Sequence, residues 1–331
     1  MIRILQVREP SKSKCAGIDS NCQGLIELFK GDDEIEMLPT VEYKWHTEPI
    51  LHQHWLDKQD ICDSIEKYCP DILHVHGATT FSLPVAIKCG KKYNLPIVFS
   101  PHFHPYYALR RPFMGRVYFN VVTRRALKNV DLVFNINKED SAVFSQYHSN
   151  VVTVPHWSRF EPSKKAVVKN PQMILFVGRL YESNKGFEHL NYLPEGKYEI
   201  HCVGKGEIPL RSDMTQHINI TDEELKELYM KASLLVVPSR YEAFSYVSIE
   251  ALMCNTPIVI SDRVRIGDYL EGMESVGVFK YQDYNDFCIK VENTIGKSVD
   301  TERVQDTFNP ERIKSIYKEA YRQVYSIRKK Q

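Results

Sequence analysis

No run of about 18 apolar residues occurs in this 331-residue chain, so nothing in it reads as a helix that crosses a bilayer. No secretory signal is visible either. "MIRILQV" alternates apolar and polar residues and runs into "REPSKSK", which reads as a first strand. The eight cysteines contain no CxxC pair and no cysteine–histidine cluster at zinc spacing, which excludes the usual signatures of a structural metal. Most fall in apolar contexts and read as reduced core residues of a cytoplasmic protein. A large net charge is also missing: 43 Lys+Arg against 42 Asp+Glu leaves +1, which argues against nucleic acid as the partner of the whole surface. There is no solenoid repeat, no low-complexity segment, and no GxGxxG after the first strand to suggest a nicotinamide cofactor.

What is present is alternation. "IRILQV", "DILHVHG", "PIVFSPH", "DLVFNIN" and "VVTVP" are short apolar runs separated by helical patterns. After a Lys/Pro-rich stretch at 161–171 the pattern restarts with "MILFVGRL", "YEIHCVG", "LLVVPS" and "PIVIS". Such runs imply parallel sheets covered on both faces. The restart predicts two Rossmann-like α/β domains, 1–158 and 159–308. The amphipathic segment 309–331, "NPERIKSIYKEAYRQVYSIRKKQ", is expected to pack back on the first. Ligands of open parallel sheets gather beyond the carboxyl ends of the strands.

"LLVVPSRYEAFSYVSIEALMCN" concentrates the chemistry. Ser245 is placed to cap a helix, and Asn255 suits that helix's carboxyl end. The free amides near Tyr246 and Val247 make a phosphate site. Glu250, further into the helix, has the chemistry to accept both hydroxyls of a ribose diol, and Glu242 precedes the helix. In "ILFVGRLYESNKGFEHL" a strand leads to Gly178-Arg179 and then Lys185-Gly186, expected to open a helix. Two cations there suit a departing diphosphate, Arg179 through paired hydrogen bonds and Lys185 as a point charge. A nucleotide sugar contains ribose diol, diphosphate and sugar together, and Gly204 and Gly206 mark a tight turn near it. Surface glutamates and cations are mostly just solvated, but Glu250 stands among Val247, Ile249, Ala251 and Leu252.

Together these residues resemble the family 4 glycosyltransferases, which have the GT-B fold of two Rossmann-like domains facing a central cleft. The matching pieces are E-x7-E (Glu242, Glu250), "FVGRL…NKGFE", "VGKGE", "DILHVHG", "FSPHFH" and "CAGIDSNCQGLIEL". The likeness runs from the first strand to the last helix and is strongest over 172–261. It implies a retaining transferase using a UDP- or GDP-sugar, with no protein nucleophile, no metal and no further cofactor. It also implies that His102 approaches the sugar from the first domain and that Gly17 admits close backbone approach. Three positions depart from the family pattern. Ala16-Gly17 replaces a glycine pair, Pro155-His156-Trp157-Ser158-Arg159 replaces P-N-G-V-D, and Arg263-Val264-Arg265 stands where glycines are frequent.

Ile72 to Val130 contains no Asp or Glu but nine cations, several of them interleaved with aromatics in 106–128. Drawn as a helix, Phe113, Met114, Val117, Tyr118, Val121 and Val122 share about half the circumference, with Arg116, Asn120, Thr123 and Lys128 facing away. Either this apolar side packs on the first sheet, or the segment docks on an anionic membrane at the inner face of the cell. Docking would suit a lipid-linked acceptor as well as a glycan. Two alternatives to sugar transfer are a nucleotide-sugar epimerase and a non-catalytic GT-B partner protein at the membrane. Both sit poorly with an intact set of Arg179, Lys185, Glu242 and Glu250.

Overall fold

The computed structural model describes residues 1–8, 17–41, 46–47, 54–55, 58–77, 82–102, 104, 112–158, 160–162, 167–206 and 210–329. The chain divides into two units, Met1–Pro155 with Pro310–Gln331, and His156–Asn309. Each carries a six-stranded sheet in which neighbouring strands pair in parallel.

The strands of the first unit are β1 (Ile2–Arg8), β2 (Ile35–Met37), β5 (Ile72–His76), β6 (Ile97–Ser100), β7 (Leu132–Asn135) and β8 (Val151–Thr153), ordered β2-β1-β5-β6-β7-β8. A short antiparallel hairpin, β3 (His46–Thr47) and β4 (His54–Trp55), stands apart. β5, β6 and β7 are buried at every residue, as expected of parallel strands with helices on both faces. Leu5, Val75, Phe99, Phe119, Val133 and Phe144 share one core.

The last helix, Pro310–Lys329, belongs to this unit. Pro310 opens it where no helical N–H is needed. Ile313, Tyr317, Ala320, Tyr321 and Val324 are buried, the i, i+4, i+7, i+8, i+11 stripe of a packed helix. Tyr317 and Tyr321 lie against Phe134. A polar edge adds to this. Asp32 accepts from the N–H groups of Glu34 and Ile35 and pairs with Lys314 at 3.1 Å and Lys318 at 3.2 Å. Burial alone would raise the Asp32 carboxyl, but those two N–H groups and the two ammonium groups hold it well below the usual carboxylate range. A depressed folded-state pKa contributes stability above the unfolded value and loses it as pH falls toward the folded one. Asp32→Asn is therefore expected to lower the melting temperature at pH 7, with the gap to wild type closing below about pH 3. A gap of constant size in melts across that range would refute the linkage.

The basic helix does not follow the drawn wheel. Its core side is Gly115, Phe119, Thr123, Ala126 and Leu127, whereas Phe113, Val117 and Val121 are exposed. A π turn at Phe119–Thr123, closed by Arg124 N–H donating to the Phe119 carbonyl, interrupts the helix. The buried residues still share one side at 3.6 periodicity, because Phe119, Ala126 and Leu127 are the apolar side chains that meet the first unit's core. Residues 106–111 lie outside the described residues.

The second unit contains β9 (Asn170–Val177), β10 (Glu199–Val203), β11 (Met214–His217), β12 (Ala232–Val237), β13 (Ile258–Ser261) and β14 (Val276–Phe279), ordered β11-β10-β9-β12-β13-β14. In chain order this is 3-2-1-4-5-6, the doubly wound arrangement, with its switch point between β9 and β12. Phe176, Leu234, Val236, Val259, Phe279 and Phe287 fill the core. The helix expected to open at Lys185-Gly186 is instead two 3-10 segments, Ser183–Lys185 and Phe187–Tyr192. Gly186 sits between them at φ +69, a left-handed residue that an α-helix does not contain.

Candidate active site

The two loops leaving the switch-point strands carry the candidate residues. After β9 come Gly178, Arg179 and the turn to Lys185; after β12 comes Pro238 to Glu242. Backbone bonds weld them together. Arg240 N–H donates to the Asn184 carbonyl at 2.8 Å, and the Asn184 side-chain amide donates to the Tyr241 carbonyl at 3.1 Å. Gly186 is required here because a Cβ would fall inside the carbonyl oxygen of Pro238. Gly204, at φ +147, plays the same part where the β10 exit crosses the carbonyl of Gly178. Gln216 donates to the carbonyls of both Gly204 and Gly206 at 2.9 Å, fixing that loop.

Within this frame Lys185 and Glu242 meet. Lys185 Nζ lies 2.8 Å from Glu242 Oε1, and Ser239 Oγ donates to the same oxygen at 2.6 Å. The Lys185 stem lies beside Gly178, 3.5 Å from where a Cβ would stand. The Glu242 backbone is pinned on both sides: its N–H donates to the Arg263 carbonyl at 3.1 Å, and its carbonyl accepts from Arg265 N–H at 3.0 Å. Arg179 stands on the same turn, its side chain 53% exposed and its guanidinium 3.0 Å from the Glu182 carboxylate. A cation and a carboxylate in contact can each be drawn off by a ligand that offers a phosphate to one and a hydroxyl to the other.

Glu250 is differently placed. It lies in helix Tyr246–Met253 at 2% exposure, with the Tyr229 hydroxyl donating to Oε2 at 3.1 Å. Ser245 occupies the N-cap position, but its side chain makes no capping bond. It accepts instead from Ser248 Oγ at 2.8 Å, so the hydroxyl does not cover the first amides of Tyr246 and Val247. Tyr246 stacks on buried His156 at 4.8 Å. Asn255 has the left-handed φ of +57 expected after the helix.

Gly17 and His102 belong to the first unit. Gly17 is the first residue of helix Gly17–Leu28; Ala16 lies outside the described residues. His102 follows β6 with φ +50, and its Nε2 is 3.1 Å from His76 Nδ1. Burial pushes its pKa down to about 4, so at neutral pH it is an uncharged hydrogen-bonding imidazole. Behind it, His74 links Ser100 and Tyr321 at 2.8 Å each. Burial, and then the nearby His102, lowers His74 to about 3.

Sequence reasoning missed Ser239, Tyr229, Asn184 and Gln216. Ser239 left a local signal, being three residues before Glu242; the other three act across the fold.

A family model described as "Glycosyltransferase Family 4" matches residues 31–157, and one described as "Glycosyl transferases group 1" matches 171–296. TuaC of Bacillus subtilis, a glycosyltransferase named for teichuronic acid biosynthesis, is 25% identical over 225 residues, covering 58% of this chain and 53% of TuaC. The chain thus matches about half of that relative's length. Among solved structures, sucrose-phosphate synthase from Thermosynechococcus elongatus aligns with a TM-score of 0.77 at 20% identity, over 99% of this chain and 100% of that one. Anabaena HepE, solved with UDP and glucose, aligns at 0.71 and 14% identity, over 98% and 100%. Two parallel doubly wound sheets, two matching family models and GT-B neighbours make this chain a member of the family 4 glycosyltransferases.

Proposed function

We propose that the chain moves a sugar, with retention of configuration, from a UDP- or GDP-linked donor to a hydroxyl of a glycan or lipid-linked acceptor. The observation that carries this reading is the Lys185–Glu242 contact of 2.8 Å at the switch point between β9 and β12, with Arg179 on the adjoining turn. HepE, a neighbour of the same fold, was also solved with UDP-glucose, a donor of the same class.

As the glycosidic bond breaks, negative charge builds on the leaving diphosphate. Arg179 and Lys185 offset that charge without needing a metal, and the amides of Tyr246 and Val247 extend the positive field. Glu242, released from Lys185, accepts from hydroxyls of the donor sugar. Glu250 takes the ribose diol in place of the Tyr229 hydroxyl. The acceptor attacks from the face the diphosphate leaves, and its proton passes to the departing phosphate oxygen. His102, uncharged at neutral pH, has the chemistry to hydrogen-bond a sugar hydroxyl.

The test is a panel of UDP- and GDP-sugars scored for nucleotide release, with and without lipid-linked acceptors, alongside melting with the free nucleoside diphosphates. One diphosphate is expected to raise the melting temperature, and the matching donor to be turned over. Glu250→Gln is expected to weaken diphosphate binding about tenfold or more, because a hydrogen bond to a charged group is lost. Unchanged affinity in that variant would remove the ribose role. A panel in which no nucleoside diphosphate binds would overturn the reading as a whole.

A further inference from the structure

The helical stretch 112–129 presents an apolar row to solvent, inside a span of sequence that carries no carboxylate side chain. Phe113 is 74% exposed, Val121 48% and Val117 42%. These three stand at i, i+4 and i+8, and exposed Arg125 continues the row. Arg116, Asn120, Arg124 and Lys128, all exposed, form the row alongside. The opposite side, Gly115, Phe119, Thr123, Ala126 and Leu127, is buried in the first unit, so the apolar row is not a core face awaiting its sheet. Helix Ser82–Tyr93, in contact with this stretch, adds exposed Lys88 and Lys91. From Ile72 to Val130 the sequence has no carboxylate side chain.

We propose that this face docks on an anionic phospholipid surface. Phe113, Val117 and Val121 enter the headgroup–acyl boundary while the flanking cations pair with lipid phosphates. Charge complementarity selects this occupant. A second copy of the chain would bring like charges together across the contact. Nucleic acid would use the cations but leave three apolar side chains in water. A membrane interface uses both. The proposal does not rest on the sugar-transfer reading, since lipid binding is measured without donor or acceptor.

The test is co-sedimentation of the full chain with vesicles of phosphatidylcholine alone or doped with phosphatidylglycerol. Partition to the doped vesicles is expected to be at least about tenfold stronger and to fall as salt is raised. Phe113→Ser, Val117→Ser and Val121→Ser together are expected to lower it about tenfold. Arg116→Glu, Arg125→Glu and Lys128→Glu together are expected to lower it about a hundredfold, each cation being worth roughly fivefold. The wild-type comparison of the two vesicle types needs no variant and so stands even if one fails to fold. Equal pelleting with neutral and doped vesicles overturns the proposal. So does unchanged partition of the serine variant with a wild-type melt, or tighter binding to short duplex DNA than to doped vesicles at the same salt.

Discussion

Lys185→Ala is expected to lower turnover at saturating donor by about a hundredfold or more, with a much smaller change in donor KM. The ammonium touches Glu242 Oε1 at 2.8 Å, so a carboxylate of the protein itself already partners it. Its contribution grows only when the diphosphate gathers charge, which is why the effect falls on kcat. Arg179→Ala is expected to act in the same direction. In the proposed mechanism both cations serve one leaving group, so the double variant should lose less than the product of the two single losses. Single-turnover rates for the two single variants and the double variant make the comparison. Wild-type turnover in Lys185→Ala and Arg179→Ala alike would defeat the assignment.

Gly186→Ala is expected to destabilise the second unit by roughly 3 kcal/mol or more. Left-handed backbone at φ +69 by itself disfavours an L-residue by about 1–2 kcal/mol. The added methyl also meets the Pro238 carbonyl, a backbone atom that cannot rotate away. At this size of unit that corresponds to a drop in melting temperature of about 6–12 °C. The same shift would move the β9 and β12 exits apart, so nucleoside-diphosphate binding should weaken in the fraction that still folds. A variant melting within a degree of wild type would show that the two loops are not held together at this point.

The parts of the molecule written in local patterns are legible in the sequence alone. "LLVVPS" and "PIVIS" are buried strands, and Gly178, Gly186 and Gly204 punctuate the loops that gather at β9, β10 and β12. Lys185 and Glu242, 57 positions apart, do meet. Strand order is not legible, because pairing β9 with both β10 and β12 is a long-range choice that no run of residues encodes. Nor is the Tyr229–Glu250 bond, which joins two helices. The helix at 112–129 turns inward a different side from the one its apolar count suggests, because Phe119, Ala126 and Leu127 join the first unit's core while Phe113, Val117 and Val121 do not. Ser245 shows the reverse case, the right residue at the cap with its hydroxyl turned to Ser248 instead.

The chain lays down the second unit as one uninterrupted stretch, whereas the first is assembled from two pieces separated by it. His74 waits 247 positions for the Tyr321 hydroxyl that completes its hydrogen bonding. The second unit can therefore finish folding while the other still lacks its closing helix. A chain truncated after residue 309 should resist protease over 156–309 and yield over the preceding half.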